Sequence, residues 1–356
     1  MNINHDWLDF LKQQNAHIEN NVVQHFGNKD EEIAAIHHKT ILCDLGNMGF
    51  ISADGPEAQS FLQNQLSNDI NSVTVNHSQL NAHCTAKGRV LTLFRVLRDH
   101  DKYILYLPNE RLDASLKRLK MYVLMTKVSL EDANDKLVSI GLAGHDADSQ
   151  LKKHLQTIPE NPDDAVQSDG LIITKVQGQS PRYLIIGGID KISALWDHLK
   201  TNTTLCGHHA WSYLDIQSGL PQVYEQNVEA FVPQMLNLHS IDGVSFQKGC
   251  YPGQEVVARM HFLGKLKRRM YLAHADSTLP PEPGTPLFSD NDDTDQGVGK
   301  IVDAQTAPAG GVDMLVVLQI ASAENGTIHV QNKQGVTLNF KDLPYTVELE
   351  REGKKP

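Results

Sequence analysis

One cysteine of this chain, Cys250, follows a glycine two residues after a lysine, in the run Lys248-Gly-Cys-Tyr-Pro-Gly-Gln-Glu. Lys248–Gly253 reads as a Gly/Pro loop, and Gln254–Phe262 carries a helical stripe of Val256, Val257 and Met260. The cysteine therefore precedes a helix N-terminus, where unpaired N–H groups and the helix dipole favour an anion. Lys248 adds positive charge. Both features would lower the thiol pKa and raise the thiolate fraction, giving a reactive or metal-ligating sulfur. A small buried thiol packed beside a turn fits the same pattern, and the two readings stay open at this level. The cations Arg259, Lys265, Lys267, Arg268 and Arg269 form a basic island that suits a phosphate, a polyglutamate tail or RNA, or else a solvated face.

The other cysteines, Cys43, Cys84 and Cys206, are scattered, and no C-x-x-C pair occurs. That spacing predicts neither a disulfide framework nor a self-contained metal site. One thiolate cannot hold an iron–sulfur cluster alone, because clusters need about four ligands. Any ligation by Cys250 would be shared with a partner. The 17 histidines include no H-E-x-x-H, and His37-His38 and His208-His209 read as surface or structural pairs.

The chain has 356 residues, 40% hydrophobic and 21% charged, which suggests two or three domains and excludes wholesale disorder. Its 25 glycines and 15 prolines follow no period, excluding fibrous classes. A net charge of −11 excludes a bulk electrostatic binder of nucleic acid, and 6% aromatics confines any stacking platform to a local patch. The longest apolar runs, Leu315–Ile320 and Tyr183–Gly188, are far short of the roughly 20 residues of a membrane span. The N-terminal residues lack a basic, then apolar, leader, so a cytoplasmic location is expected.

Periodicity supplies the elements that position the loop. Residues 1–40 read as one or two polar helices. Strand Gly49–Ala53, a helix through Ala58, Phe61, Leu62 and Leu66, strands Arg89–Leu97 and Lys102–Leu107, helix Glu110–Met125 and strand Val128–Leu130 give a split β-α-β-β-α-β order. A weaker echo follows: strand Leu137–Leu142, helix Asp148–Leu155, polar loop Pro159–Asp169, strands Gly170–Val176 and Arg182–Gly187, and helix Ile189–Lys200. Trp211–Gly219 reads as a further helical turn. Beyond residue 265, short strands at Met270–Ala273, Gly299–Val302, Leu315–Ile320, Thr327–Val330 and Val336–Phe340 alternate with Gly/Pro turns, predicting a small β-barrel. The aspartates of Ser289–Asp295 lack the Gly and Glu spacing of a calcium loop and read as a hairpin tip.

Several of these segments resemble the YgfZ folate-binding family. Lys248-Gly-Cys-Tyr-Pro-Gly-Gln-Glu, with Ala258-Arg259 and Gly264 after it, is similar to its K-G-C-Y-x-G-Q-E signature. Pro233-Gln-Met-Leu-Asn-Leu is similar to its P-Q-x-x-N-L segment, His83-Cys-Thr-Ala-Lys-Gly-Arg to H-C-x-A-K-G-[KR], and Gly55–Ile70 to G-x-x-x-x-x-F-L-Q-x-Q-x-x-x-D. The resemblance runs from about residue 45 to 345. It implies an α+β fold like the glycine-cleavage T-protein, a three-domain ring with a C-terminal β-barrel. Residues 1–132 with about 208–264 would form the folate-binding domain, 133–207 a second α+β domain, and 265–356 the barrel.

The resemblance further implies a cytoplasmic protein that binds tetrahydrofolate or a related folate. It would support assembly or repair of iron–sulfur enzymes, including those that modify tRNA. Its partners would be folate and iron–sulfur client or assembly proteins, with no membrane and no direct tRNA contact expected. Cys250 matches the signature thiol and Lys248 its companion. Trp211, Gln217, Met48, Tyr251 and Arg259 are the implied folate-site positions. Met48 replaces a tryptophan of some members, and Gln217 replaces the T-protein glutamate that bonds the pterin. No resident metal is implied. Two alternatives are a tetrahydrofolate-dependent aminomethyl or methyl transferase using Asp113, and a cysteine nucleophile with His239 or His261 as base.

Overall fold

A computed structural model of the chain describes residues 4–291 and 297–347. Its contacts divide into two compact units. The first comprises residues 1–62, 70–79 and 94–214, and the second 63–69, 80–93 and 215–356.

The first unit holds a sheet in the spatial order Ala165–Ser168, Leu171–Lys175, Arg182–Gly187, Val138–Ala143, Ile41–Asp44 and Thr204–Cys206. Every neighbouring pair is antiparallel except the last, which is parallel. Helix Ile189–Leu199 buries Ile192, Leu195, Trp196 and Leu199, an i, i+3, i+4, i+7 stripe, in a core with Leu42, Ile140 and Leu142. Helix His5–Gln13 closes the same core: Asn4 caps it by accepting from the Trp7 N–H at 3.0 Å, and the Trp7 ring meets Trp196 edge-on at 5.7 Å. The Trp7 indole donates to the buried Asp44 carboxylate at 2.8 Å. Burial pushes Asp44 up to about 6, against the donors from Trp7, Gly46 and Leu45. A second antiparallel sheet pairs Lys102–Pro108 with Arg95–Asp99 on one side and with Met48–Asp54 on the other. Met48–Asp54 also pairs with Ser129–Asp132.

Three expectations are corrected here. The N-terminal region is not purely helical: between helices His5–Gln13 and Lys29–Ala35 lies a hairpin, His17–Glu19 with Val22–His25. Its turn residues Asn20 and Asn21 adopt φ of 50° and 64°, the left-handed pair that a tight hairpin needs. Helix Glu110–Met125 shortens to Leu112–Lys120. Its buried stripe ends at Leu119, and of the residues after it Met121, Tyr122, Leu124 and Met125 face solvent (Met125 is 96% exposed), so little burial supports its continuation. The polar loop Pro159–Asp169 contains an edge strand, Ala165–Ser168, turned by Asp169-Gly170, both at positive φ.

The second unit is built on a six-stranded antiparallel sheet, ordered Ile328–Val330, Pro286–Ser289, Gly299–Thr306, Val312–Gln319, Arg268–Ala275 and Asn339–Lys341. It curls as a half-barrel at the C-terminal region where the barrel was expected. Period-two alternation is visible in strand Val312–Gln319: Leu315 and Val317 enter one apolar cluster, and Met314, Val316 and Leu318 the other. The first cluster adds Ala82, Cys84, Val90, Phe231, Leu236 and Leu238 from outside the sheet. Asp313 is a buried hub that accepts from His274, Lys341 and Gln217 at 2.7, 2.7 and 2.9 Å. Pro286–Ser289 and the short helix Ile320–Asn325 were not expected. The expected aspartate-rich tip falls largely on residues 292–296, outside those described. Among the described residues no helix is long and apolar enough to cross a membrane.

Strand Gly299–Thr306 shifts register between Ile301 and Asp303, and the Asp303 side chain is buried beside the Tyr224 hydroxyl, which donates to it at 3.0 Å. Burial raises its pKa from 3.8 to about 7. The folded chain then holds a proton that the unfolded chain has released, so stability from this group is complete below pH 3.8 and falls as pH rises through about 7. Asp303→Asn should flatten that fall. Urea unfolding of both proteins from pH 4 to 8 would show it as wild-type stability falling relative to the variant's with rising pH, by up to about 1.4 kcal/mol per pKa unit.

Candidate functional site

The run that begins at Lys248 sits wholly in the second unit, and the structure assembles it from the backbone outward. The helix after the loop spans Gln254–Leu263, one residue longer than its stripe predicted. Cys250 is exposed, whereas Cys43, Cys84 and Cys206 are buried. The buried-thiol reading of Cys250 therefore does not hold. Burial pushes the Cys84 thiol up to about 12, which keeps it protonated.

Lys248 is half-buried, and its ammonium donates to the backbone carbonyls of Gln63, Leu66 and Asn68 at 2.7, 2.6 and 2.7 Å. Three N–H donors meet three acceptors, which satisfies a lysine completely. Burial lowers its pKa to about 8, opposed by the Asp69 carboxylate. The Tyr251 ring lies 5.4 Å from the ammonium and is 6% exposed. Burial raises the Tyr251 hydroxyl well above its ordinary value, and the nearby Cys84 adds to the shift. The carbonyl segment is itself fixed. Ser67 donates its N–H to the Ala82 carbonyl at 2.9 Å and its hydroxyl to the Gly243 carbonyl at 2.8 Å, while the Asn68 carboxamide donates to the Leu80 carbonyl at 3.1 Å and accepts from the Asp69 N–H at 2.9 Å.

Of the other segments singled out above, residues 63–69, 83–89 and 233–238 converge on this loop. The turn of His83-Cys-Thr-Ala-Lys-Gly-Arg closes through Arg89 and Thr85, joined at 2.8 Å, and packs under the helix N-terminus. Two glycines permit that approach. Gly253 has φ +84°, and a Cβ there would lie 2.4 Å from the Thr85 carbonyl oxygen. Gly88 has φ +70°, and its Cβ would lie 3.2 Å from Val256. Gln234, from the Pro233–Leu238 segment, donates its amide to the Val257 carbonyl at 2.6 Å, and Asn237 donates to Met270 at 3.1 Å. Gln254 donates back to the Lys248 carbonyl at 3.3 Å. The result is a sulfur at the surface of a loop whose flanks are pinned.

The remaining candidates lie as follows. Arg259 is exposed on the helix, as are Lys265 and Lys267 after it, while Arg269 stacks on Tyr271 at 4.3 Å. His261 is stacked on Phe246 at 3.8 Å, and its ring centre lies 6.4 Å from His239. Gln217, also in the second unit, donates its amide to Asp313. Trp211 belongs to the first unit, on helix His208–Gln217. It is 6% exposed, with the Arg182 guanidinium 4.3 Å from its ring and Gly141 beneath it, where a Cβ would approach to 2.4 Å. Asp113 is exposed in the first turn of helix Leu112–Lys120.

Met48 lines a cavity of about 140 Å³ in the first unit. Its wall carries the carboxamides of Asn4, Asn20, Asn109 and Asn134 and the apolar faces of Trp7 and Phe50, and no charged side chain. Sequence reasoning missed these asparagines, which are scattered over 130 positions and share no motif. Asn134 nonetheless organises the wall, accepting from the Phe50 N–H at 2.8 Å and donating to Asn109 at 2.9 Å.

Comparison with known proteins places these features. The GCVT N-terminal domain matches residues 11–165. The tRNA-modifying protein YgfZ of Colwellia psychrerythraea is 31% identical, over 88% of this chain and 95% of its own length. The protein of the same name from Klebsiella pneumoniae is 30% identical over 86% and 93%, and that from Escherichia coli 28% over 86% and 94%. Among solved structures, the glycine cleavage system aminomethyltransferase T from Bartonella henselae superposes with a TM-score of 0.75, covering 94% of this chain and 96% of its own at 15% identity, so the fold is T-protein-like.

Lys248→Met removes a charged donor from three part-buried carbonyls. Each hydrogen bond to a charged group contributes about 1.5–3 kcal/mol. The variant should lose roughly 3 kcal/mol or more of stability, and hydrogen exchange should rise in residues 63–69 and 245–253 ahead of the rest of the unit. Exchange unchanged in those two segments would contradict the pin.

Proposed function

The chain belongs to the YgfZ family, and on that premise we propose that it is a cytoplasmic, folate-binding accessory protein supporting assembly or repair of iron–sulfur enzymes, among them enzymes that modify tRNA. The observation that carries this reading is the exposure of Cys250 on a pinned loop while the other three cysteines are buried. A thiol that is to meet another protein's cluster must reach the surface. It must also hold its position without closing its own ligand set. Among the described residues no group of three or more metal-ligating side chains occurs, so Cys250 offers one ligand and the client supplies the rest. On ligation the thiol gives its proton to water as the sulfur–iron bond forms.

The cavity beside Met48 suits the ring of a reduced folate. A pterin edge is a neutral array of donors and acceptors, which carboxamides match, and its faces are apolar, as are Trp7, Met48 and Phe50. With no charged side chain in the wall, the carboxylate tail belongs outside it. When bound, tetrahydrofolate supplies a carrier for one-carbon units. The residues of the wall hold and orient the ring and exclude water from it. Transferase chemistry would require a base at the folate nitrogens, and Asp113, the candidate for it, stands exposed in a helix first turn, so the accessory role is favoured.

In cells lacking the protein, Cys250→Ser should restore several-fold less thiolated tRNA nucleoside than the wild type, measured by mass spectrometry of digested tRNA. Full restoration would refute the role of the thiol. Titration calorimetry should detect tetrahydrofolate binding, weakened at least tenfold by Met48→Glu, which places a carboxylate in a neutral wall. Equal affinity for the two proteins would remove the cavity from the folate reading.

A further inference from the structure

We propose that the exposed side of helix Gln254–Leu263, with the basic run after it, is a docking face for an acidic protein surface with an apolar centre. On the reading given above, that surface belongs to the client whose cluster Cys250 meets. The helix buries one residue, Val257. Val256, Arg259, Met260 and Leu263 follow the i, i+3, i+4, i+7 spacing of a single side, the pattern by which helices present anchors to a partner. Val256 is 39% exposed, Phe262 66% and Leu263 83%. Phe262 also meets Phe246 edge-on at 5.8 Å, and Phe246 stacks on His261. A ledge of three rings therefore runs from the signature loop to the helix end, its outer ring open to solvent. Cys250 lies three residues before the helix N-cap, Gly253, so a partner seated on this side is brought to the thiol.

Charge selects the partner. From Val256 to Ala275 the chain carries five cations, Arg259, Lys265, Lys267, Arg268 and Arg269, and no carboxylate, in a protein of net charge −11. Arg259, Lys265 and Lys267 are exposed around the apolar stripe. This arrangement complements an apolar patch rimmed by Asp and Glu. A second copy of the chain fits poorly, since a two-fold contact would set these cations against themselves. RNA fits less well than protein. Val256 and Leu263 at the centre neither stack on bases nor bond them, and the overall negative charge repels a polyanion at a distance.

The test uses the full-length protein and a purified, cluster-free iron–sulfur enzyme that thiolates tRNA, with binding followed by interferometry at 50 and 200 mM salt. Two double variants are compared, Phe262→Ser with Leu263→Ser, and Arg259→Glu with Lys265→Glu. All four side chains are exposed, so melting temperatures close to wild type are expected. Each double variant should weaken binding at least tenfold, and the charge-reversed one should also lose most of the salt dependence. Cys250→Ser should bind as wild type does. Wild-type affinity in both double variants, or no binding by the wild type, overturns the proposal. So does a 20-nucleotide RNA, or self-association, that wild type shows at the same concentrations and both variants lose. The two readings fail separately. Normal tRNA thiolation with Cys250→Ser sinks the cluster role and leaves the face, whereas normal binding by the double variants sinks the face and leaves the thiol.

Discussion

A single ammonium group, that of Lys248, ties the functional loop to the rest of its unit. Its three protons go to three consecutive-turn carbonyls, those of Gln63, Leu66 and Asn68, in a segment that is far away in sequence. A neutral side chain could not do this, because none carries three donors on one atom, and at least one of these part-buried carbonyls would lose its donor. The ammonium suffers from burial, which lowers its pKa, and the nearby Asp69 carboxylate offsets part of that cost. The balance is a pin that is strong while charged. Everything that gives Cys250 its setting follows from it: the loop path between glycines, the seat of Tyr251 beside the ammonium, and the start of the helix at Gln254.

The same geometry explains why the loop needs partners from several parts of the chain. The helix N-terminus approaches the Thr85–Arg89 turn so closely that glycine is required at Gly253 and Gly88. The amide of Gln234 then fastens the Val257 carbonyl from the opposite side. Backbone-to-backbone packing of this kind removes the conformational freedom that a Gly/Pro loop would otherwise keep. A thiol on such a loop does not have to be ordered when a partner arrives, so more of the interaction energy of that encounter remains as affinity.

Much of this fold was legible in the sequence, and the reason differs by element. Helix Ile189–Leu199 and the strands after residue 265 bury a regular stripe, and their periods gave them away, while helix Gln254–Leu263 was legible from its spacing although it buries Val257 alone. The T-protein-like architecture came from motif resemblance, and the superposition on an aminomethyltransferase T bears it out. Short edge elements were lost because their signals were two residues long: Asn20-Asn21 in the first hairpin and Asp169-Gly170 beside strand Ala165–Ser168. The Lys248 pin was illegible for another reason. Its acceptors are carbonyls, which every residue possesses, so no side-chain type at positions 63, 66 or 68 announces them. The carboxamide-lined cavity was hidden likewise, because its asparagines come from a helix cap, separate turns and a short 3₁₀ turn.

The contrast among the four cysteines separates structure from function without appeal to motif. Cys43 and Cys206 face each other across paired strands Ile41–Asp44 and Thr204–Cys206, and Cys84 lies in the apolar cluster of the second unit. Burial raises the Cys43 and Cys84 thiols, so neither is a ready nucleophile or ligand at neutral pH. They behave as small apolar side chains, and valine or alanine would meet the same packing demand. Packing cannot account for Cys250, which is exposed and has an open glycine, Gly249, on one side. A sulfur that contributes nothing to the core, on a loop that much of its unit is arranged to hold still, is accounted for by what it meets from outside.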